Sequence, residues 1–185
     1  MTGKDNDLEC LRRIQAGDSA ALGELYDRYT PLLYSLVLRI LRSSADAEDA
    51  LQEAWVQVWK RAASFDPARG SVGAWLTTVA RTRALDRYRS LKSRSTAEGK
   101  VETDSIAPAP DPGQAASRSQ LGVRVREALA TLTPQQRAVL EIAYFEGLSQ
   151  TEIASRVGAP LGTVKSWTRQ GLMRLKELLP QEEWV

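Results

Sequence analysis

Apolar residues recur along this chain at the three- and four-residue spacing of an amphipathic helix, and the two-residue alternation of a half-buried strand is nearly absent. The broadest stripe, Leu22, Leu25, Tyr26, Tyr29, Leu33, Leu36, Val37 and Ile40, predicts a helix over residues 19–41 with Asp18 as its cap. A shorter helix over residues 8–16 is expected to lean on it. The next helix, over residues 45–63, puts Leu51, Ala54, Trp55, Val58 and Ala62 on one face. Asp49, Gln52, Glu53, Val56, Gln57 and Lys60 lie on the other. Its first turn is acidic, which suits the positive end of the helix dipole. Residues 65–70 have the composition of a turn, and a fourth helix over residues 71–91 opens with Val72, Trp75, Leu76 and Val79.

Periodicity then lapses. Residues 95–117 collect Pro108, Pro110, Pro112 and Gly113 among small polar side chains, the composition of a flexible linker. Beyond it, Leu121, Val125, Leu129 and Leu132 mark a helix ending before Thr133-Pro134-Gln135-Gln136, a capping box with proline at the first helical position. Leu140, Ala143 and Tyr144 carry the following helix to Gly147. A second capping box, Ser149 with Glu152, opens a short helix whose Ile153, Ala154 and Val157 are expected to face inward. Gly158 supplies its C-terminal cap and Pro160 stops it from continuing. The last helix, over residues 161–179, takes Val164, Trp167 or Thr168, Leu172, Leu175 and Leu179 as its apolar stripe. The pattern specifies an all-α chain. Two small helical domains, residues 1–94 and 118–185, are joined by the linker at 95–117, and the second contains a helix-turn-helix.

The first turns of that last helix leave Thr163, Lys165, Ser166, Arg169 and Gln170 outside the core. Donors and cations in this arrangement suit phosphates and base edges. A plain helical hairpin has the same outline, so the motif alone leaves both readings open.

The formal charge of +2 over 185 residues hides a segregation. Residues 81–94 hold six cations against Asp86 alone, whereas residues 95–114 hold four acids against Lys100. Arg83, Arg87, Ser90 and Arg94 fall on one helical line that matches a phosphate backbone. The same line also fits a solvated face braced by nearby acids. Trp75, beside Gly70, Ser71 and Gly73, is either core or part of a pocket for an unpaired base.

Histidine is absent and Cys10 is the only cysteine, which excludes an internal disulfide, a His/Cys zinc site, and serine–histidine or cysteine–histidine catalysis. Neighbouring acids such as Glu48 with Asp49, or Glu182 with Glu183, diverge on a helix, so no catalytic pair, cofactor or metal is expected. No leader-like N-terminus and no apolar run of membrane-spanning length is visible, so a cytoplasmic protein is expected.

Two ordered stretches resemble a known family. Asp46-Ala47-Glu48-Asp49-Ala50-Leu51-Gln52-Glu53-Ala54-Trp55-Val56-Gln57-Val58-Trp59, then Phe65-Asp66, then Gly73-Ala74-Trp75-Leu76-Thr77-Thr78-Val79-Ala80-Arg81, is similar to the second region of bacterial sigma factors. Residues 133–179 resemble their fourth region. With these two regions alone, joined by a short linker, the chain looks like the extracytoplasmic-function (ECF) class. The resemblance implies a non-catalytic initiation factor that binds core RNA polymerase and directs it to promoters. It further implies that Asp49, Gln52, Glu53, Val56 and Trp59 dock on the β′ clamp helices, although Trp59 could equally be core. Gly70, Ser71, Trp75, Arg81, Thr82, Arg83 and Arg87 would melt and hold the −10 element. The −35 duplex would be read by Gly162, Thr163, Lys165, Ser166, Arg169 and Gln170. The β flap and an anti-sigma protein are the other implied partners. A conventional helix-turn-helix regulator, binding duplex DNA without polymerase, is the alternative.

The chain departs from the family at three places. Thr82 stands where relatives often have Asn, Trp167 where they often have Arg, and Gln170-Gly171 where they often have Arg-Ala. Gly171, inside a helix, costs about 1 kcal/mol relative to Ala.

Overall fold

A computed structural model describes residues 3–97 and 120–179, with side chains for 6–94 and 124–179. Among these residues there are helices and turns and no strand. They divide into two compact units, one holding the described residues through 97 and the other those from 120.

In the first unit α1 (Gly3–Gln15) lies on α2 (Ser19–Leu41), and α2, α3 (Ser44–Arg61) and α4 (Val72–Ala97) pack on one another. Local chemistry starts and stops these helices. Asp18 accepts hydrogen bonds from the Ala20 and Ala21 amides at 2.8 and 3.4 Å, which caps α2 as expected. Arg42, in the left-handed conformation at φ 56°, ends it, and Ser43 caps α3 through the Asp46 amide at 3.3 Å. Ala47, Ala50 and Ala54 are buried on α3, so small side chains let it approach its neighbours closely while Leu51, Trp55 and Val58 fill the core. Arg13 of α1 bonds Asp18 and Glu24 at 2.8 Å each and holds both carboxyls below their ordinary range. Asp7 is the buried acid among the described residues of this unit. It accepts from Arg28 and from the Tyr29 hydroxyl, so its charge is paired inside the fold.

The third helix ends at Arg61, and a single 3-10 turn, Ala62–Ser64, covers the remainder of the predicted span. The turn at 65–70 contains another, Pro67–Arg69, capped by Asp66 through the Ala68 amide at 2.9 Å. The fourth helix runs past its expected end at 91 to Ala97, so residues 95–97 are helical rather than linker. No Gly or Pro interrupts it before Gly99. Residues 98–117 of the expected linker lie outside the described residues.

In the second unit α5 (Gln120–Ala130), α6 (Pro134–Glu141), α7 (Gln150–Val157) and α8 (Leu161–Leu178) surround a core of Val139, Ile153, Ala154 and Val164. Both capping boxes form as the sequence predicts, Thr133 with Gln136 and Ser149 with Glu152. The helix expected to reach Gly147 does so through one π-helical turn, Ile142–Glu146, and Gly147 at φ 64° closes it. Gly158, at φ 66°, makes the tight turn before α8.

Three inward expectations are corrected here. Tyr26, on the predicted stripe of α2, is 44% exposed, at the rim of the core with its ring centroid 5.3 Å from that of Trp55. Val157 is 37% exposed, because it is the last residue of α7 and the chain turns away at Gly158. Leu172 is 53% exposed, and Gly171 takes the buried position on the stripe instead. A Cβ at Gly171 would stand 2.8 Å from Leu140 Cδ1, so a terminal methyl of α6 fills the space that the glycine leaves on α8.

Candidate nucleic-acid interface

Three surfaces hold the residues singled out by the sequence. On α3, Asp49, Gln52, Glu53, Val56 and Trp59 are all exposed, Val56 at 50% and Trp59 at 39%, so Trp59 is not core. Asp49, Gln52, Glu53, Val56 and Gln57 line one side of an open groove of about 400 Å³, and Arg83 of α4 lines the other. The polar face of one helix and a cation of the next thus form a single surface, which helix-by-helix periodicity could not show.

Arg87 departs from the line of cations that its spacing predicted. Its Nε donates to Asp46 at 2.8 Å and its terminal nitrogen to Asp49 at 2.9 Å, which clasps α4 onto α3. The guanidinium holds the Asp46 carboxyl below the usual aspartate range, helped by the Ser43 hydroxyl. The two carboxylates raise the arginine in turn, Asp46 most of all. The only sequence signal for this pairing was a cation on one helix and two acids three residues apart on another, with 41 residues separating Asp46 from Arg87.

The entry to α4 is built from Gly70, Ser71, Gly73 and Trp75. Gly70 has φ 147° with ψ 179°, a conformation open to glycine alone. Ser71 accepts from the Ala74 amide at 3.3 Å, and Trp75 meets Phe65 edge-on at 5.6 Å. Trp75 is half-buried, neither a full core residue nor fully open. A Cβ at Gly73 would lie 3.0 Å from Tyr29 Cε1, so the start of α4 presses directly on that ring. Arg81 and Arg83 are half-exposed, and the Thr82 hydroxyl donates to the Thr78 carbonyl of its own helix at 2.8 Å.

On α8, Gly162, Lys165, Ser166, Arg169 and Gln170 are exposed and Thr163 is half-buried. Val164 is buried, and Trp167 packs against the core, so the tryptophan that replaces a family cation serves the fold. Gln170 is doubly bonded: it accepts from Gln136 Nε2 at 3.2 Å and donates to Ser166 Oγ at 3.1 Å. Gln136, on α6, was not among the site residues expected from the sequence.

Comparison with known proteins decides the family. Residues 25–94 match Sigma-70 region 2 and residues 122–175 match Sigma-70 region 4. The ECF RNA polymerase sigma factor SigK of Mycobacterium tuberculosis (strain ATCC 25618 / H37Rv) is 38% identical over 184 residues, covering 97% of this chain and 98% of that protein. The chain belongs to the ECF RNA polymerase sigma factors. SigK of Mycolicibacterium vanbaalenii is 36% identical, with 91% of this chain and 87% of that one covered. Among solved structures, Rhodobacter sphaeroides SigE in complex with the anti-sigma ChrR is 29% identical, covering 96% of this chain and 100% of that one at a TM-score of 0.49. This sigma factor is an initiation factor that directs RNA polymerase to promoters. No helix among its described residues is long and apolar enough to cross a membrane.

Proposed function

We propose that the two units divide the work of a cytoplasmic, non-catalytic initiation factor. The α3 face of Asp49, Gln52, Glu53, Val56 and Trp59 docks on the β′ clamp helices of core polymerase. Gly70, Ser71, Trp75, Arg81, Thr82 and Arg83 serve the melted −10 element, and Arg87, held by Asp46 and Asp49, fixes their helix in place rather than meeting DNA itself. Gly162, Thr163, Lys165, Ser166, Arg169 and Gln170 read the −35 duplex, with the β flap against the second unit. An anti-sigma protein is the expected regulator, as the family resemblance implies.

The supporting observation is the composition of the α3 face. The core of the first unit is complete without Val56 and Trp59, yet both stand exposed among hydrogen-bonding side chains, the mixture that anchors protein partners. Strand opening then draws on binding energy, because capturing an unstacked base offsets an unstacking cost of a few kcal/mol. The polymerase carries out the bond-forming chemistry.

Run-off transcription with sigma-free core polymerase, over promoters randomised in both elements, tests this reading. Chain-dependent transcripts that share a −10 and a −35 element are expected. Duplex binding by the chain alone, with no stimulated transcription, would replace it with a conventional helix-turn-helix regulator.

A further inference from the structure

The hydrogen bonds around Gln170 run in one direction, and a backbone amide sets that direction. The Thr133 N–H can only donate, and it donates to the Gln136 side chain at 3.2 Å, so the atom facing it is the amide oxygen. The Gln136 amide nitrogen therefore faces Gln170 and donates to its oxygen at 3.2 Å. The Gln170 amide is then oriented as well, and its nitrogen donates to Ser166 Oγ at 3.1 Å. Since the serine oxygen is accepting, its own proton is left for another group. The outer edge of α8 consequently offers two donors, the Ser166 hydroxyl and the second N–H of Gln170.

Two departures from the family lie on this chain of bonds. Gly171 leaves room for the Leu140 side chain of α6, and Gln136 Cβ lies in ordinary contact, 3.5 Å from where a Cβ at Gly171 would be. Gln170 supplies an acceptor that arginine lacks. A donor pair in the major groove matches bases that present a keto oxygen, guanine O6 with N7 or thymine O4, and mismatches the amino groups of adenine and cytosine.

We propose that Gln136 is a positioning residue for −35 specificity: by fixing the amide of Gln170 it holds Ser166 and Gln170 as donors and selects a keto base at one position. The proposal rests on the reading of α8 as the −35 helix. Gln136→Glu is the sharpest test. Its carboxylate still accepts the Thr133 amide, so the capping box survives, but it can no longer donate to Gln170. The Gln170 amide then turns over and its oxygen takes the Ser166 proton, which leaves acceptors outward.

The measurement is transcription by holoenzyme from promoters randomised at −35, for the wild type, Gln136→Glu, Gln136→Met, Gln170→Ala, Ser166→Ala and the double variant Gln136→Glu with Gln170→Ala. Preference at one position should swing about fivefold from guanine or thymine toward adenine or cytosine in Gln136→Glu, the worth of one hydrogen bond. Gln136→Met, without polar atoms, should flatten that preference. In the Gln170→Ala background, Gln136→Glu should change nothing further at that position, because it acts through Gln170. An unchanged profile, or a uniform loss across all sequences, in Gln136→Glu and Gln136→Met overturns the proposal. If Ser166→Ala and Gln170→Ala still alter base preference in that case, the reading of α8 stands without it. If they too leave the profile unchanged, that reading falls with it.

Discussion

Gly73 shows how one missing side chain ties the interface to the core. It sits where α4 begins, beside the Phe65–Trp75 pair, and its Cα faces Tyr29, whose hydroxyl is held by the buried Asp7. An added Cβ would come within 3.1 Å of that hydroxyl oxygen, and the ring cannot swing away without leaving a buried carboxylate poorly paired. Gly73→Ala should therefore destabilise the first unit by up to about 2 kcal/mol, an overpacking cost of about 1 to 3 kcal/mol less a propensity gain of about 1 kcal/mol. Thermal melting followed by circular dichroism measures it, and an unchanged or raised Tm would show that Tyr29 yields easily. Gly171 makes the same point about what a sequence can reveal. Its position inside a helix was legible as a cost, but the reason, contact with Leu140, depends on how two helices meet and leaves no trace in local spacing.

At the scale of helices, starts were more legible than ends. Asp18, Thr133 and Ser149 cap through atoms within three residues, so the sequence alone identifies them. The extension of α4 to Ala97 and the π turn after Glu141 lack such local markers. Helix 19–41 was read correctly through Pro31 because its apolar stripe continues at Leu33, Val37 and Ile40. Pairing between helices was the least legible, and Arg87 is the clearest case. Its role as a clasp predicts that Arg87→Ala lowers the stability of the first unit by about 1 to 2 kcal/mol, as expected for charge-assisted bonds that are partly exposed. Arg83→Ala should instead leave the Tm alone and reduce the salt dependence of promoter binding by about one counterion. Salt slopes unchanged from wild type in both variants would place neither arginine on the phosphates, and slopes equally reduced in both would place Arg87 there as well.

The same clasp carries a pH dependence. The folded Asp46 carboxyl is held below the ordinary aspartate value of about 3.9, so between the folded and unfolded values the unfolded chain binds more protons and stability rises with pH. The contribution is complete above the unfolded value and disappears as pH falls through the folded one. Asp46→Asn should thus lower the Tm at neutral pH and make its fall between pH ~5 and ~3 shallower, with Asp18 and Glu24 supplying the sensitivity that remains. Parallel melting curves for the two proteins across that range would remove the clasp from the account of acid stability.

For the whole molecule, each unit contains its own core: Leu25, Val37, Val58 and Leu76 are buried in the first, and Val139, Ile153 and Val164 in the second. The second is the smaller of the two and leaves Leu172, Met173 and Leu178 exposed on its last helix. A smaller domain buries a smaller share of its surface than a larger one, so its stability is lower, and apolar side chains left outside the core weaken it further. The two units should therefore unfold separately, the second at the lower temperature. Calorimetry of the full chain is expected to show two transitions, the lower one reproduced by a fragment of residues 118–185 and the upper by residues 1–97. Substituting Val56→Asp on the α3 face should leave both transitions in place, because that side chain is half exposed and outside the core, while weakening capture by core polymerase at least tenfold through loss of an apolar anchor replaced by a desolvated charge. A single cooperative transition would contradict the independence of the units, and undiminished polymerase binding by the variant would move the docking surface away from α3.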